Sequence, residues 1–233
     1  MRRGLAVSAV LVVALVGGSA GCARKKPDQS GPTPAGSASA TPGTTSGSRA
    51  PLIRQWVLAA GLDAAVVGAR EPENEDDTAS PKSVCGIPMA TNLHKVASHS
   101  WDWSGTKIDN VVHRVYGYEP DPGSTMIAEL HANVGKCTTV YDWGGIWDMK
   151  IIGEHAVTKP AGIDVAYAFC ERGTVKSGSS KGTQAHMCYA FLSRDAVAIE
   201  LQVLELALTE AKAGLNTVVP VAAAALVKAV PSS

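Results

Sequence analysis

The sequence predicts an α+β fold, an antiparallel sheet flanked by N- and C-terminal helices and stapled by two disulfides. Three observations point there. Consecutive short segments between residues 108 and 206 show strand-like apolar patterning. Helical apolar spacing brackets them, at 52–67 and again at 209–230. Four of the five cysteines lie between those helices, an even number.

The chain has 233 residues, enough for one large domain or two small ones. Lys+Arg and Asp+Glu are equal at 21 each, which argues against a nucleic-acid partner, whose binding surface needs a basic excess. A hydrophobic fraction of 45% excludes a mostly disordered chain.

The N-terminus reads as an address. Arg2 and Arg3 precede an uncharged run at 4–18, too short to cross a ~30 Å hydrocarbon core comfortably and apt for a signal peptide. Ser19, Ala20 and Gly21 then lead to Cys22. A small-residue triplet ending at Cys resembles a bacterial lipobox, with Ser19 where that motif usually carries Leu. The resemblance implies cleavage before Cys22, a diacylglycerol on its sulfur and often a palmitate-like acyl chain on the new amine. Residues 1–21 are therefore expected to be a lipoprotein signal peptide, residues 22–50 the lipidated Cys and a disordered tether, and 51–233 a single extracytoplasmic domain. The tether is mostly Pro, Gly, Ser, Thr and Ala, which bury too little surface to offset ordering. The expected location is the outer face of the plasma membrane, with the membrane itself as a partner through the lipid. No later segment is expected to span it.

Pro51 suits a first helical turn, and Leu52, Ile53, Trp56, Val57, Ala60, Ala64 and Val67 recur at helical spacing, with Gly61 as a weak point. Residues 71–77 read as an acidic, solvated loop. Residues 91–98 read as a short helix. Residues 108–118 read as a strand with Val111, His113, Val115 and Gly117 on one face. The stretch 119–123 is a turn, because Pro removes donors and Gly permits positive φ. Ser124 or Thr125 is the expected cap of a helix through Met126, Ile127, Leu130 and Val134. Further strands are expected at 149–157, 163–172, 184–193 and 196–206. The last alternates Val197, Ile199, Leu201 and Val203 with Ala198, Glu200 and Gln202, a half-buried pattern. The C-terminal helix at 209–230 is expected to break near Gly214 and resume behind Asn216 or Thr217, with Pro220 in its first turn.

With Cys22 assigned to lipid, Cys85, Cys137, Cys170 and Cys188 remain. An even count in an exported chain favours disulfides. There is no C-x-x-C pair to suggest zinc or a dithiol redox site. If 163–172 and 184–193 form an antiparallel hairpin, a Cys170–Cys188 bond also pairs Phe169 with Tyr189 and Tyr167 with Phe191 on the opposite face. It places the tip at Gly178, Ser179 and Ser180, residues that turn readily. Cys85–Cys137 follows by elimination.

The anchor, the Ser/Thr/Pro tether and two disulfides resemble the extracytoplasmic sensor domain of the mycobacterial kinase PknH and the actinobacterial lipoproteins similar to it. One matching block is 108–137, a valine-rich strand, then Ala128-Glu129-Leu130 and a Cys ending a helix. The other is Cys188 followed by a valine-rich strand and a C-terminal helix. The resemblance implies an antiparallel sheet flanked by helices, with a cleft that binds a ligand. No kinase domain is present.

Chemistry is sparse. His94, His99, His113, His131, His155 and His186 show no metal-ligand spacing, and no cofactor string of the P-loop or G-x-G-x-x-G kind occurs, so neither metal nor cofactor is expected. Ser98-His99-Ser100 with Asp102 is adjacency in sequence, not a triad. Trp101, Trp103, Trp143 and Trp147 cluster beside turns and are the candidate ligand-binding residues. Aromatics so placed stack on sugars or anchor a partner. With only two Phe in the chain, capping the ends of the core is the favoured reading for them. Asp142, Asp148 and His155 are the candidates for the competing reading, a small envelope enzyme acting on glycan or lipid. The leading expectation is a non-catalytic, lipid-anchored binding or sensor-like module. Its partner would be a small hydrophobic or glycan ligand, or another envelope protein.

Overall fold

The computed structural model describes residues 47–69 and 72–231. The expected signal peptide, Cys22 and the tether up to residue 46 lie outside the described residues. The elements are α1 (Ala50–Ala59), β1 (Asn74–Asp76), β2 (Lys95–Ser104), β3 (Asn110–Tyr118), α2 (Gly123–Lys136) and β4 (Tyr141–Trp143). They continue as β5 (Trp147–Glu154), β6 (Val165–Val175), β7 (Gln184–Arg194), β8 (Val197–Glu205) and α3 (Leu208–Ala229). One sheet runs in the order β1-β2-β3-β8-β7-β6-β5-β4, every pairing antiparallel. The chain leaves the middle of the sheet through α2, starts again at the far edge and meanders back until β8 pairs with β3.

The sheet has two buried faces because helices cover both. α1 and α3 pack on the first face, where Val111 and Val115 of β3 meet Ile199, Leu201 and Val203 of β8. Gly117 lets α1 settle against β3, since a Cβ there would lie 2.2 Å from Ile53 Cγ2. α2 packs on the second face through Met126, Ile127, Leu130 and Val134, against Tyr116, Phe169, Tyr189 and Phe191. The aromatics stack across strands, Phe169 on Tyr189 at 5.1 Å between centroids.

Both expected disulfides are present, Cys85–Cys137 and Cys170–Cys188. The β6–β7 register pairs Cys170 with Cys188, Phe169 with Tyr189 and Tyr167 with Phe191. Cys170 and Cys188 lie on the first face and the aromatics on the second. The two bridges differ in access: Cys170 and Cys188 are buried, while Cys85 is partly exposed. A mild thiol reductant is therefore expected to open Cys85–Cys137 first, at a stability cost of about 4 kcal/mol by the loop-entropy account. Stepwise alkylation with peptide mapping checks this. Simultaneous release of all four thiols would contradict it.

Several expectations need correcting. The first helix ends at Ala59 rather than running to 67; Gly61 packs on the Trp101 ring, and Asp63 caps a separate 3₁₀ turn at Ala64–Val66. The acidic loop at 71–77 contains an edge strand, β1, paired with Ser100–Asp102; its three side chains are exposed, as an edge allows. The helix expected at 91–98 is a 3₁₀ turn, Ala90–His94, and then β2. Pairing of β2 with β3 from Lys95 onward outweighs local spacing. α2 starts at Gly123, whose N–H donates to the Asp195 carbonyl at 2.8 Å, so neither Ser124 nor Thr125 caps it. β8 is buried on both faces rather than half-buried, with Glu200 inside.

The C-terminal helix is unbroken through Gly214 and Pro220. Gly214 fits against Val203 and Ile108, and Pro220 sits on the exposed side. A buried stripe of Ala211, Leu215, Val218, Ala222 and Leu226 holds the helix together from below. Against expectation, α3 is long and apolar enough by length and composition to cross a membrane, with a mean hydropathy of 1.2. Here that apolar stripe is packed on the sheet.

Candidate ligand-binding cleft

The second face of the sheet carries charge where a core would be apolar. Arg114 of β3 and Glu200 of β8 are directly paired in register. Glu200 is 0% exposed and accepts from Arg114 Nη1 at 2.6 Å and from the Lys82 backbone N–H at 2.9 Å. The Tyr116 hydroxyl shares its proton between Glu200 at 3.1 Å and the Ser80 carbonyl at 3.0 Å. Two strands away, Glu171 is equally buried. It accepts from the Tyr141 hydroxyl at 2.5 Å and pairs with Lys82 Nζ at 3.0 Å.

Lys82 is the pivot, its side chain only 4% exposed. Its ammonium sits 4.8 Å from the Tyr189 ring centroid, 4.9 Å from Trp143 and 5.6 Å from Tyr141. Approach to aromatic faces returns part of the hydration it has lost. Residues 79–85 thus form a strap over the sheet. It is held by Lys82, by Tyr116 at Ser80, by Lys95 Nζ at the Ala79 carbonyl and by the Cys85–Cys137 bond. Burying ions costs several kcal/mol each unless pairing is near complete, and here each ion has a partner.

The network holds its protons. Burial pushes Tyr116 well above the ordinary phenol range, with the Glu200 charge adding to it. Burial, then Glu171, does the same to Tyr141. Burial alone would lower Arg114, but the Glu200 carboxylate outweighs it and the net shift is upward.

Beside the strap opens a hollow of about 330 Å³. Its walls are Ser100 and Asp102 of β2, Arg114 of β3, Gln202 of β8, the strap itself and Trp143 of β4. β2 and β4 lie toward opposite edges of the sheet, so the sheet curls and this face is concave. Gln202 is 5% exposed and lines the hollow. Among the described residues Asp102 accepts only from Ser100 Oγ, at 3.3 Å, and burial pushes its pKa up while Arg114 pulls it back. A second hollow of about 400 Å³ lies between α1 and β2, beside Arg54, Leu58 and Lys95. No buried, unpartnered polar group lines it among the described residues.

The four tryptophans separate. Trp101 and Trp103 lie on the first face, stacked at 6.5 Å, with His113 against both and Trp103 buried in the core. Trp143 and Trp147 are paired across the β4–β5 hairpin on the second face, and of the four only Trp143 lines the hollow. Asp142 and Asp148 also pair across that hairpin, but strand alternation turns them to the side away from the tryptophans. Both are about half exposed, and Lys176 bridges them. The Lys176 hydrogen bond, with help from the Gly145 N–H, lowers the Asp142 pKa, the opposite of what a general acid needs. His155 bonds Asn216 of α3 at 3.0 Å. Both ring nitrogens of His99 face Asp77 and Glu75, and Ser98 and Ser100 alternate to the other face.

Lys82, Arg114, Glu171, Glu200 and Gln202 were not singled out from the sequence as site residues. A signal existed: a charge stands mid-strand in the apolar runs of β3, β6 and β8, and aligning the strands gathers those charges.

No protein-family model matches the chain, and no curated protein matches it. Among solved structures, the chain is similar to the extracellular domain of PknH from Mycobacterium tuberculosis. The two share 12% identity at a TM-score of 0.47, over 76% of this chain and 95% of that one.

Proposed function

We propose that this protein is a lipid-anchored, extracytoplasmic binding module of the cell envelope, and that its ligand sits in the concave cleft beside the strap. One observation carries the cleft: polar side chains from three different strands, Asp102, Arg114 and Gln202, converge on one hollow beside Trp143. A hollow with a few convergent polar groups beside an aromatic wall is the form that small-molecule sites take. The flat face of Trp143 and the rigid ion-paired floor add an anchor and preorganisation. Two disulfides suit an oxidising compartment, and the residues before Cys22 suit export and acylation.

Two measurements test this reading. Cys22→Ser is expected to release the protein from the membrane and abolish acyl labelling; unchanged membrane association would contradict the anchor. Native mass spectrometry of the full chain purified from its own envelope is expected to show a bound small molecule. That adduct is expected to be lost in Trp143→Ala. An adduct that survives Trp143→Ala would contradict the cleft.

A further inference from the structure

We infer that the cleft takes a neutral sugar ring and discriminates against anions and simple amines. The inference rests on the cleft being the binding site and adds the chemistry of what fills it. At about 330 Å³ the hollow lies near the lower end of small-molecule pockets, room for a ring rather than an extended chain.

The charges decide the sign. Arg114 and Lys82 are the cations of the site, and both are matched, by Glu200 and Glu171. Asp102 and Asp76 also line the hollow, and among the described residues neither has a cation within ion-pair distance. The unbalanced charge is negative, so an anionic ligand is repelled.

The hydrogen-bonding groups decide the rest. Asp102 accepts only, Arg114 donates only, and Gln202 does both. An ammonium satisfies Asp102 but has no lone pair for the Gln202 amide protons or the free guanidinium N–H groups. A hydroxyl has one proton and two lone pairs. Adjacent hydroxyls on a ring therefore donate to Asp102 while accepting from Arg114 or Gln202. The apolar C–H face of the same ring matches the Trp143 indole, a large flat surface.

The test uses the full chain in a detergent free of glycosides. Ligand-observed NMR and calorimetry with glucose, N-acetylglucosamine, glucuronate and spermidine rank the classes. The two neutral sugars are expected to bind, with glucuronate and spermidine weaker by about tenfold or more, the scale of one lost hydrogen bond or one repulsion. Asp102→Asn and Gln202→Met are expected each to weaken neutral-sugar binding by about tenfold. Asp102→Asn keeps the shape of a partly exposed side chain, so it remains informative if Gln202→Met fails to fold. Stronger binding of spermidine or glucuronate, lost in Trp143→Ala, would overturn the sugar assignment and leave the cleft standing. No binding by any of the four, with a native adduct that Trp143→Ala removes, would do the same. No binding together with an adduct insensitive to Trp143→Ala would overturn both.

Discussion

Glu200→Gln is expected to destabilise the protein by about 3–5 kcal/mol, the usual cost of breaking a buried ion pair from one side. Glu200 is fully buried and accepts from a guanidinium, a hydroxyl and a backbone N–H. The amide leaves Arg114 charged and uncompensated against the sheet. It also turns an acceptor into a donor next to groups that already donate. Such a loss is a large share of the roughly 5–15 kcal/mol that holds an ordinary domain together. The paired substitution Arg114→Met with Glu200→Met removes both charges and is expected to recover most of it, because an apolar pair of similar volume has no desolvation to offset. Chemical denaturation of the three proteins measures both numbers. A loss under about 1 kcal/mol in Glu200→Gln would show that water reaches the pair and that the network is not buried.

The second large effect appears in acid. His113 is fully buried between Trp101 and Trp103, and its Nδ1 accepts from the Leu62 N–H at 3.1 Å. Burial, with a smaller contribution from the charge on His99, holds its pKa down to about 3. In the unfolded chain the same ring titrates near 6.5. Between those values the unfolded state binds a proton that the folded state refuses, so stability falls as pH drops through 6.5 toward 3. The slope approaches about 1.4 kcal/mol per pH unit well below 6.5. The carboxylates lowered by hydrogen bonds, Asp76, Glu119 and Asp142, titrate below the window from about pH 6.5 to 5. Burial raises Asp102 and Glu205 toward it, so the His113 contribution is read as the difference between wild type and variant. His113→Asn keeps an acceptor toward Leu62 and removes the proton site. It is expected to flatten the fall across that window in a thermal melt series. An unchanged slope would place the acid sensitivity elsewhere.

What the sequence disclosed and what it hid have physical reasons. The β6–β7 hairpin was readable because two cysteines, two aromatic pairs and a Gly-Ser tip all name one register. The β2 strand was hidden because its start at Lys95 follows a 3₁₀ turn, and its stability comes from pairing with β3 rather than from local apolar alternation. Glu200 and Gln202 looked solvent-facing, since polar residues alternating with Val and Leu are the mark of a half-buried strand. Only the register of neighbouring strands reveals that Arg114 stands opposite Glu200 and that the strap covers both. Gly214 suggested a break in α3, with Pro220 in the first turn of a resumed helix, but Gly214 packs against the sheet, Pro220 is exposed, and the buried stripe runs through both positions. Of the candidate site, Trp143 was legible as an aromatic beside a turn. Asp102, Arg114 and Gln202 come from three different strands, and no local string announces them.

Hydrogen–deuterium exchange on the full chain, compared with and without its co-purified ligand, tests the central claim most directly. The ligand is expected to slow exchange in the strap at 79–83 and in the segments of β2, β3 and β8 around Asp102, Arg114 and Gln202, and to leave the α1–β2 groove at Arg54 and Leu58 unchanged. Protection confined to that groove, or to the first face around Trp101 and Trp103, would contradict the assignment of the concave cleft.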